Sequence, residues 1–329
     1  MAENREHYDG INGLKAYAIV GIILMHVLAN GEYKINGFIF ERVIPSFTSF
    51  VFLFMIVSSY GMCCGYYQKI IDQEISVEDF YLKRYHKIWP FFAALCVLDL
   101  CISPSKESTY EVFANLTLCQ GLLPNAEISV IGVSWTLAVI FVFYMLFPFF
   151  CFIITYKKRA WIAALVAYVL NYLCIVYFNA DRRNIIFDAI YFIAGGIIYK
   201  YRKEICFFQI KYRIIVIFIF IISIITYCVL GDSTFTTLFA YSSALIYAIG
   251  CKKKGIFNNR VVKFISEYCF ELYLCHMVIF RGLDKFHLIR PFENGIVSYA
   301  LASIMVIGGA IVFSFFVRKV LNKKIIKWI

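Results

Sequence analysis

Long runs of apolar residues alternate along this chain with short polar segments. Each run has about 15 to 25 residues, the length that a helix needs to cross a bilayer. The pattern predicts an all-α fold, a polytopic integral membrane helix bundle of about ten transmembrane helices that forms one domain over residues 1–329. The predicted spans are 11 to 29, 44 to 67, 88 to 102, 128 to 155, 160 to 178, 185 to 199, 214 to 230, 236 to 251, 261 to 281 and 296 to 317.

Composition agrees with this class of protein. Hydrophobic residues make up 62% of the 329 residues, far more than in an ordinary soluble domain. The opening MAENREHYDG lacks a basic segment, and the first apolar run lacks a small-residue cleavage site, so we expect this run to be a retained helix. The 12 cysteines contain no C-x-x-C pair and lie mostly in apolar runs, which favours packing over disulfides or metal binding.

Lysine and arginine counts predict the orientation. With the N-terminus inside, the predicted cytoplasmic segments hold 23 of the 32 basic residues and the opposite segments hold 8. Because basic loops are retained on the cytoplasmic face, both termini are expected there, in a multi-pass protein of the plasma membrane. The net charge of +11 then reflects contact with anionic membrane lipids, and nucleic acid is not expected as a partner.

Two ionisable residues stand in the first predicted span, GLKAYAIVGIILMHV. Lys15 and His26 are 11 positions apart, close to three full helical turns, so they share one helix face about 16 Å apart. An ionisable group inside a membrane is costly and indicates a functional site. The alternative is that Lys15 anchors the helix at the cytoplasmic interface and His26 is a hydrogen-bonded packing residue.

A second histidine lies in the segment SEYCFELYLCHMVIF. If one helix starts near Phe264, His276 reaches a depth similar to that of His26, and the two predict a polar pocket. Glu271 is about 140° from His276 around the helix, so it does not share its face. Cys275 beside His276 could suggest a metal site, but no third ligand spacing supports one, and no metal is predicted.

Residues 76 to 90, SVEDFYLKRYHKIWP, are predicted to lie on the cytoplasmic side. Ser76 followed by Asp79 is typical of a helix N-terminus, and Pro90 is expected to mark a turn into the next span. The segment therefore predicts a short interfacial helix. Elsewhere, Pro148 and the pair Gly195 and Gly196 are expected to kink their helices or to pack closely.

Three basic residues of this segment share one helix face. Lys83 and Lys87 are four residues apart, and Arg84 and Lys87 are three apart. Such a face is typical of a site that contacts anionic lipid. Such a face more often contacts lipid, but it is also what a phosphate-rich cofactor from the cytosol would need.

These motifs together resemble the membrane acyltransferase 3 family, whose members O-acetylate lipopolysaccharide, peptidoglycan and other surface glycans. The resemblance covers nearly the whole chain and rests on four motifs in order: Lys15 to His26; Phe80, Lys83, Arg84, Lys87, Ile88 and Pro90; Trp135, Thr136 and Leu137 with Phe143, Tyr144 and Pro148; and Leu272, Tyr273, Leu274 and His276. One position departs from the family, because Ile140 stands where many members have a glutamate.

The resemblance implies a membrane O-acyltransferase that moves an acetyl or similar acyl group. The donor would be cytoplasmic acetyl-CoA or another acyl-CoA, and the acceptor would be a hydroxyl of a cell-surface or envelope polysaccharide or of a lipid-linked glycan. The phosphates of CoA would bind Lys83, Arg84 and Lys87.

The remaining motif residues would carry the chemistry. His26 would act as general base or transient acyl carrier, and Lys15 would extend the cationic path towards it. The acceptor or acyl pocket would include His276, Trp135 and Glu271.

A different class of function fits the same polar residues. A polysaccharide exporter or flippase could use His26, Asp188 and Glu271 as a proton relay, and the loss of the glutamate at Ile140 slightly favours it. Two related halves with broken helices, common in transporters, are not visible in the sequence. A third alternative is a non-enzymatic scaffold of the envelope, in which His26 and His276 would be freely replaceable.

Overall fold

The computed structural model describes residues 9–102, 104–122, 130–180, 182–251 and 255–325. Within these ranges the regular structure is helical, apart from an isolated bridge between Gly255 and Asn258. In chain order the helices are α1 (Asp9–Asn30), α2 (Ile39–Ile71), α3 (Val77–Ile102), α4 (Lys106–Leu116), α5 (Ser134–Ile154), α6 (Lys157–Val176), α7 (Ile185–Lys200), α8 (Arg202–Lys211), α9 (Arg213–Leu230), α10 (Thr234–Ile249), α11 (Arg260–Glu267), α12 (Cys269–Lys285) and α13 (Gly295–Ile325).

The predicted all-α fold is confirmed for the described residues, whereas the count of about ten spans is not. Each predicted span overlaps a described helix or a pair of helices, and residues 128 and 129 of the span 128 to 155 lie outside the described residues. Among the described helices, six are long and apolar enough to cross a membrane: α1, α2, α5, α6, α9 and α13. The helices α7 and α10 have 16 residues each, and the first half of α3 is rich in charge. The membrane crossing of these shorter or more polar helices stays a prediction.

The bundle has two ends, which contacts between residues distant in the sequence define. At the end where α1 begins, here called the basal end, Asn12 is hydrogen-bonded to Ser266 of α11. At the end where α1 finishes, called the distal end, Arg290 pairs with Glu32 at 3.1 Å. The last turns of α13 lie at the basal end, because Arg318 reaches the carboxylate of Glu267. Which membrane face the basal end meets stays a prediction.

The predicted ninth span is not one continuous helix. It divides at Tyr268, which leaves the helical conformation with φ −98° and ψ 8°. The preceding α11 carries charged and polar residues on one side and apolar residues on the other, the pattern of a helix that lies at an interface. His276 is therefore seven residues into α12, roughly 10 Å from its start. The expectation of one helix beginning near Phe264 was wrong.

The expected turn at Pro90 is also absent, because α3 continues through it to Ile102. Its start was predicted well, since the backbone N–H of Asp79 donates to the Ser76 hydroxyl at 2.9 Å. A proline keeps helical φ and removes one backbone donor, a loss that membrane bundles tolerate. The basic segment is thus the first half of a long helix and not a separate interfacial one.

Gly195 and Gly196 place α7 against its neighbours at short range, as the sequence predicts. A Cβ atom added to Gly195 would lie 2.2 Å from the backbone oxygen of Ile56 on α2. A Cβ on Gly196 would lie 2.5 Å from the ring of Phe150 on α5. Small residues at such positions let helix backbones approach closely, which is a main source of association inside a membrane.

We expect Gly195→Ala to destabilise the bundle by about 1 to 3 kcal/mol, because the new methyl group meets backbone that cannot move aside cheaply. The matched control is Gly308→Ala on α13, where an added Cβ meets nothing within 4 Å and alanine should favour the helix. Thermal unfolding of the purified protein in detergent measures both. Equal midpoints for the two variants would contradict the close-packing account.

Candidate functional site

A large cavity opens at the basal end of the bundle. It has a volume of about 890 Å³ and is lined by residues of α1, α2, α3, α5, α11, α12 and α13. Its lining is strongly basic, with two carboxylates beside the basic groups. The basic lining residues are Lys15, Arg84, His86, Lys87, Lys263 and Arg318, and the acidic ones are Glu267 and Glu271.

Arg84 is held on the cavity wall by neutral neighbours. One of its terminal nitrogens donates to the Tyr66 hydroxyl, and its guanidinium carbon lies 4.5 Å from the centre of the Tyr66 ring. Tyr144 contributes a second ring at 6.0 Å, and Met62 offers its sulfur at 3.5 Å. None of these groups carries a negative charge. Arg84 is therefore an oriented cation whose charge a ligand anion could neutralise.

The structure brings together most of the predicted donor-binding residues. Lys15 lies half-buried on α1, and it lines the cavity with Arg84 and Lys87. Lys83 is exposed and does not line it. Helical spacing alone had placed Lys83 on the same face, but only part of that face borders the cavity.

Three further basic residues at the cavity did not emerge from the sequence analysis as site residues. His86 comes from the same turn of α3 as Lys87, and Lys263 and Arg318 come from α11 and α13. The sequence had counted Lys263 and Arg318 only as charges of cytoplasmic segments. The sequence does hold one signal for them. All three lie near span ends that are predicted to be on the same side of the membrane, and such ends come together in a bundle.

Glu271 belongs to the basal cavity and not to the neighbourhood of His276. Its Oε1 lies 3.9 Å from Nε of Arg318, which also approaches Glu267 at 3.5 Å. This separation agrees with their angular spacing on the helix, and it corrects the expectation that Glu271 shares one pocket with His276 and Trp135. The two residues therefore serve different regions of the site.

His26 and His276 meet inside the bundle, on α1 and α12. Their ring centres are 5.2 Å apart and the ring planes are inclined at 45°. The expectation that the two histidines lie at one level is confirmed. Among the described residues no cluster of three or more His, Cys, Asp or Glu is suited to a metal ion.

Hydrogen bonding fixes the state of the His276 ring. Its Nδ1 lies 3.1 Å from the carbonyl oxygen of Leu272, which can only accept, so Nδ1 carries a proton. The side chain is fully buried, and Nε2 has no hydrogen-bond partner among the described residues. A neutral imidazole in this tautomer offers the Nε2 lone pair as an acceptor. A buried acceptor without a partner is costly, which makes Nε2 of His276 a candidate for a contact with a substrate group.

One layer of side chains lies between the cavity and the histidines. The Tyr273 hydroxyl is 3.0 Å from the Val133 carbonyl and 3.0 Å from Oγ1 of Thr136. Tyr273 and Thr136 line the cavity, and the centre of the Tyr273 ring is 6.1 Å from that of His276. The two histidines themselves do not line the cavity. Tyr273 therefore contacts both compartments.

Trp135 lies at the first turn of α5, towards the distal end. The guanidinium carbon of Arg182 is 5.5 Å from the centre of its ring, and Arg182 also donates to Oγ1 of Thr48 at 3.3 Å. Arg182 precedes α7 in a short connection and was counted in the sequence only as a loop charge. Nothing in the local pattern indicates that this loop folds over Trp135.

A buried amide network fixes the start of α5. Asn115 donates to the carbonyl of Val130 at 3.0 Å and accepts from Gln120 and Ser134 at 2.9 Å each. Asn115 is fully buried. Ser134 precedes Trp135 and Thr136, so this network helps to place both of them.

Ile140 borders the basal cavity on the same face of α5 as Thr136 and Tyr144, each four residues away. The position at which many relatives in the resembled family carry a glutamate is thus apolar wall in this chain.

A family model described as an acyltransferase domain matches residues 8–315. The match includes the histidine pair and the lining of the basal cavity except Arg318 and Leu321, and it extends over nearly the whole chain. Comparisons with curated proteins and with solved structures give no match.

We expect Asn115→Ala to lower the free energy of unfolding by about 1 to 3 kcal/mol, because it removes three buried hydrogen bonds and leaves the Val130 carbonyl without that donor and Gln120 and Ser134 with only their mutual contact at 3.4 Å. Gln68→Ala is the control, since it removes an exposed amide bonded to Asp72. Thermal unfolding in detergent is the measurement. If both variants unfold at the same temperature, the network does not hold the start of α5.

Proposed function

The chain belongs to the membrane acyltransferase 3 family and is an acyltransferase, and we propose that it moves an acetyl group from acetyl-CoA to a hydroxyl of a cell-surface or envelope polysaccharide, or of its lipid-linked precursor. In this proposal the protein lies in the plasma membrane with its basal end in the cytosol. The donor enters the basal cavity, and the acceptor approaches from the distal end.

The basal cavity supports a CoA donor by its size and charge. Its volume of about 890 Å³ lies within the range of small-molecule sites. CoA carries several phosphate groups, and the cavity presents Lys15, Arg84 and Lys87 from two different helices. Arginine suits phosphate because its planar fork can donate two parallel hydrogen bonds. The apolar lining, which includes Phe54, Val57 and Leu137, would accompany the less polar arm of the donor.

The observation that carries the catalytic proposal is the contact between His26 and His276. His276 keeps a proton on Nδ1 and an open lone pair on Nε2. The centre of its ring lies 5.2 Å from the centre of the His26 ring. Such a pair can accept the proton of an acceptor hydroxyl in surroundings that exclude water. His26 is the better candidate for the base, because it is only half-buried and can meet a substrate.

The reaction then follows ordinary acyl transfer. The acceptor oxygen attacks the thioester carbonyl as His26 takes its proton, a new C–O bond forms, and the C–S bond breaks. The proton passes from His26 to the leaving CoA thiolate. In the covalent form of the mechanism, a nitrogen of His26 attacks the thioester carbonyl, the C–S bond breaks, and CoA leaves as the thiol with the imidazole proton. The acceptor hydroxyl then attacks the acylimidazole, the C–N bond breaks, and the hydroxyl proton returns to the imidazole. Both forms require the thioester to pass the layer formed by Tyr273 and Thr136.

The exporter alternative has less support. Its proton relay would need Glu271 near the histidines, whereas Glu271 lies in the basal cavity against Arg318. A transporter also has no evident need for a cavity that collects so many basic side chains. Membership of an acyltransferase family favours the enzyme.

We expect the double variant Arg84→Ala, Lys87→Ala to raise the apparent KM for acetyl-CoA at least tenfold. Charge-assisted contacts are worth about 1.5 to 3 kcal/mol each, and about 1.4 kcal/mol corresponds to a factor of ten. Lys83→Ala is the matched control, because Lys83 is a neighbouring charge outside the cavity. Donor saturation curves in membranes and titration of purified protein with CoA measure the effect. A double variant with unchanged CoA affinity, or a control with an equal loss, would refute the donor site.

We expect His26→Gln to reduce transfer by about 10²- to 10⁴-fold, since glutamine can hydrogen-bond but cannot act as a base or acyl carrier. Lys15→Arg should keep most activity, because only a cation is needed there, and Lys15→Ala should lose much of it. His287→Gln is the control, a histidine in the connection after α12. Mass spectrometry of surface glycans reports the acetyl ester, with expression matched between strains. Normal acetylation by well-expressed His26→Gln protein would rule out the catalytic role.

A further inference from the structure

Arg182 is a cation that the structure orients without neutralising it. Its partners are the Trp135 ring at 5.5 Å and the Thr48 hydroxyl at 3.3 Å, and both are uncharged. A guanidinium has five N–H donors, of which the Thr48 contact uses one. Within the described ranges of the chain no carboxylate forms an ion pair with Arg182, in contrast to Arg290, which pairs with Glu32 at 3.1 Å.

Arg182 lies where its charge could bind a ligand near His26. Arg182 lies within electrostatic range of His26 and of the Tyr273 hydroxyl, on the distal side of the layer that closes the cavity. Its side chain is half-buried, so part of it is open to a ligand. A partly desolvated cation gains more from an anionic partner than a cation in water does. An anion bound here would lie within electrostatic range of His26.

Trp135 offers a second unused group at the same place. Its ring is half-buried, and its indole N–H donates to no described acceptor. The indole groups of Trp89 and Trp161, by comparison, donate to the Leu116 carbonyl at 3.0 Å and to the Tyr201 hydroxyl at 3.1 Å. A tryptophan with an open donor and an apolar body suits a sugar, which presents hydroxyl groups and C–H faces together.

We propose that Arg182 and Trp135 form a subsite that holds an oxyanion of the glycan acceptor, so that a neighbouring sugar hydroxyl meets His26. The inference rests on the proposed acyl transfer and adds the chemical class of its acceptor, an anionic carbohydrate. The oxyanion is a carboxylate of a uronic acid or a phosphate attached to the sugar. Arg84 at the basal cavity and Arg182 at the distal side then hold the anionic groups of donor and acceptor respectively.

Direct binding tests the subsite apart from catalysis. Three probes are titrated into purified protein without acetyl-CoA: a neutral maltotriose, a trigalacturonate, and maltose 1-phosphate. We expect Arg182→Gln to weaken binding of an anionic probe by about 10- to 100-fold and to leave the neutral probe unchanged. Arg182→Lys should recover part of the loss, because the charge remains while the planar fork is lost. The neighbouring Arg183→Gln, an exposed arginine of the same connection, should bind like the wild type.

The probes distinguish the two sources of the oxyanion. A selective loss with trigalacturonate assigns the site to a carboxylate, and a selective loss with maltose 1-phosphate assigns it to a phosphate. Failure of both anionic probes to bind the wild type more tightly than maltotriose would overturn the proposal. Equal weakening of all three probes by Arg182→Gln, or a matching loss of thermal stability, would overturn it as well by making Arg182 a structural residue.

Acetylation assays distinguish a failure of the proposed acyl transfer from a failure of the subsite. In glycan acetylation assays, Arg182→Gln should raise the KM for an anionic acceptor while the KM for acetyl-CoA stays constant. Charge-selective probe binding with no acetyl transfer by the wild type would keep the subsite and reject the proposed reaction. Acetyl transfer that is unaffected by Arg182→Gln at low acceptor concentration would keep the reaction and reject the subsite.

Discussion

The buried contact between the His26 and His276 rings is the interaction on which the rest of the site depends. It joins α1 to α12 in the interior, with ring centres 5.2 Å apart. A charged imidazole would be costly in such apolar surroundings, so the arrangement favours neutral rings. The Leu272 carbonyl then selects the tautomer of His276, and its Nε2 is left to accept. A general base or acyl carrier has to be neutral. Burial favours the neutral form of both rings, and the backbone hydrogen bond selects the tautomer of His276.

The groups around this contact divide into two sides with similar chemistry. On the basal side, Arg84 lies over Tyr66 in a cavity rich in basic residues. On the distal side, Arg182 lies over Trp135. Each arginine is oriented by an aromatic ring, and neither is neutralised by a described carboxylate. Tyr273 stands between the two sides and hydrogen-bonds to the start of α5. In the proposed reaction, only the thioester end of the donor has to pass this layer.

Sequence periodicity correctly predicted where the helices lie and which residues share a helix face. The apolar runs located the helices, and eleven positions of spacing placed Lys15 and His26 on one face, with Lys15 at the cavity and His26 beyond it. Comparing how far each histidine lies along its predicted span also placed His276 at the level of His26, and the two rings are in contact. The same reasoning failed at Pro90, because neighbouring helices tolerate a proline that an isolated helix would not. It also failed at Tyr268, where a change from interfacial to buried surroundings divides the helix.

Contacts between distant segments were beyond the reach of the sequence. Arg182 meets Trp135 only because a connection between two helices folds over the start of α5, and loop geometry leaves no periodic signal. Lys83 was included in the donor site because spacing describes one helix and not its neighbours, which decide the part of its face that borders the cavity.

Transfer across an oriented membrane tests the central claim most directly, namely that donor and acceptor reach the histidine pair from opposite ends of the bundle. Purified protein is placed in vesicles with its N-terminus outside, as shown by protease removal of an N-terminal tag, and the glycan acceptor is enclosed. Labelled acetyl-CoA is supplied either outside or inside. The account predicts labelled glycan when acetyl-CoA is outside, at the basal end, and little when it is inside. Labelling that occurs only when donor and acceptor share the inner compartment would contradict it.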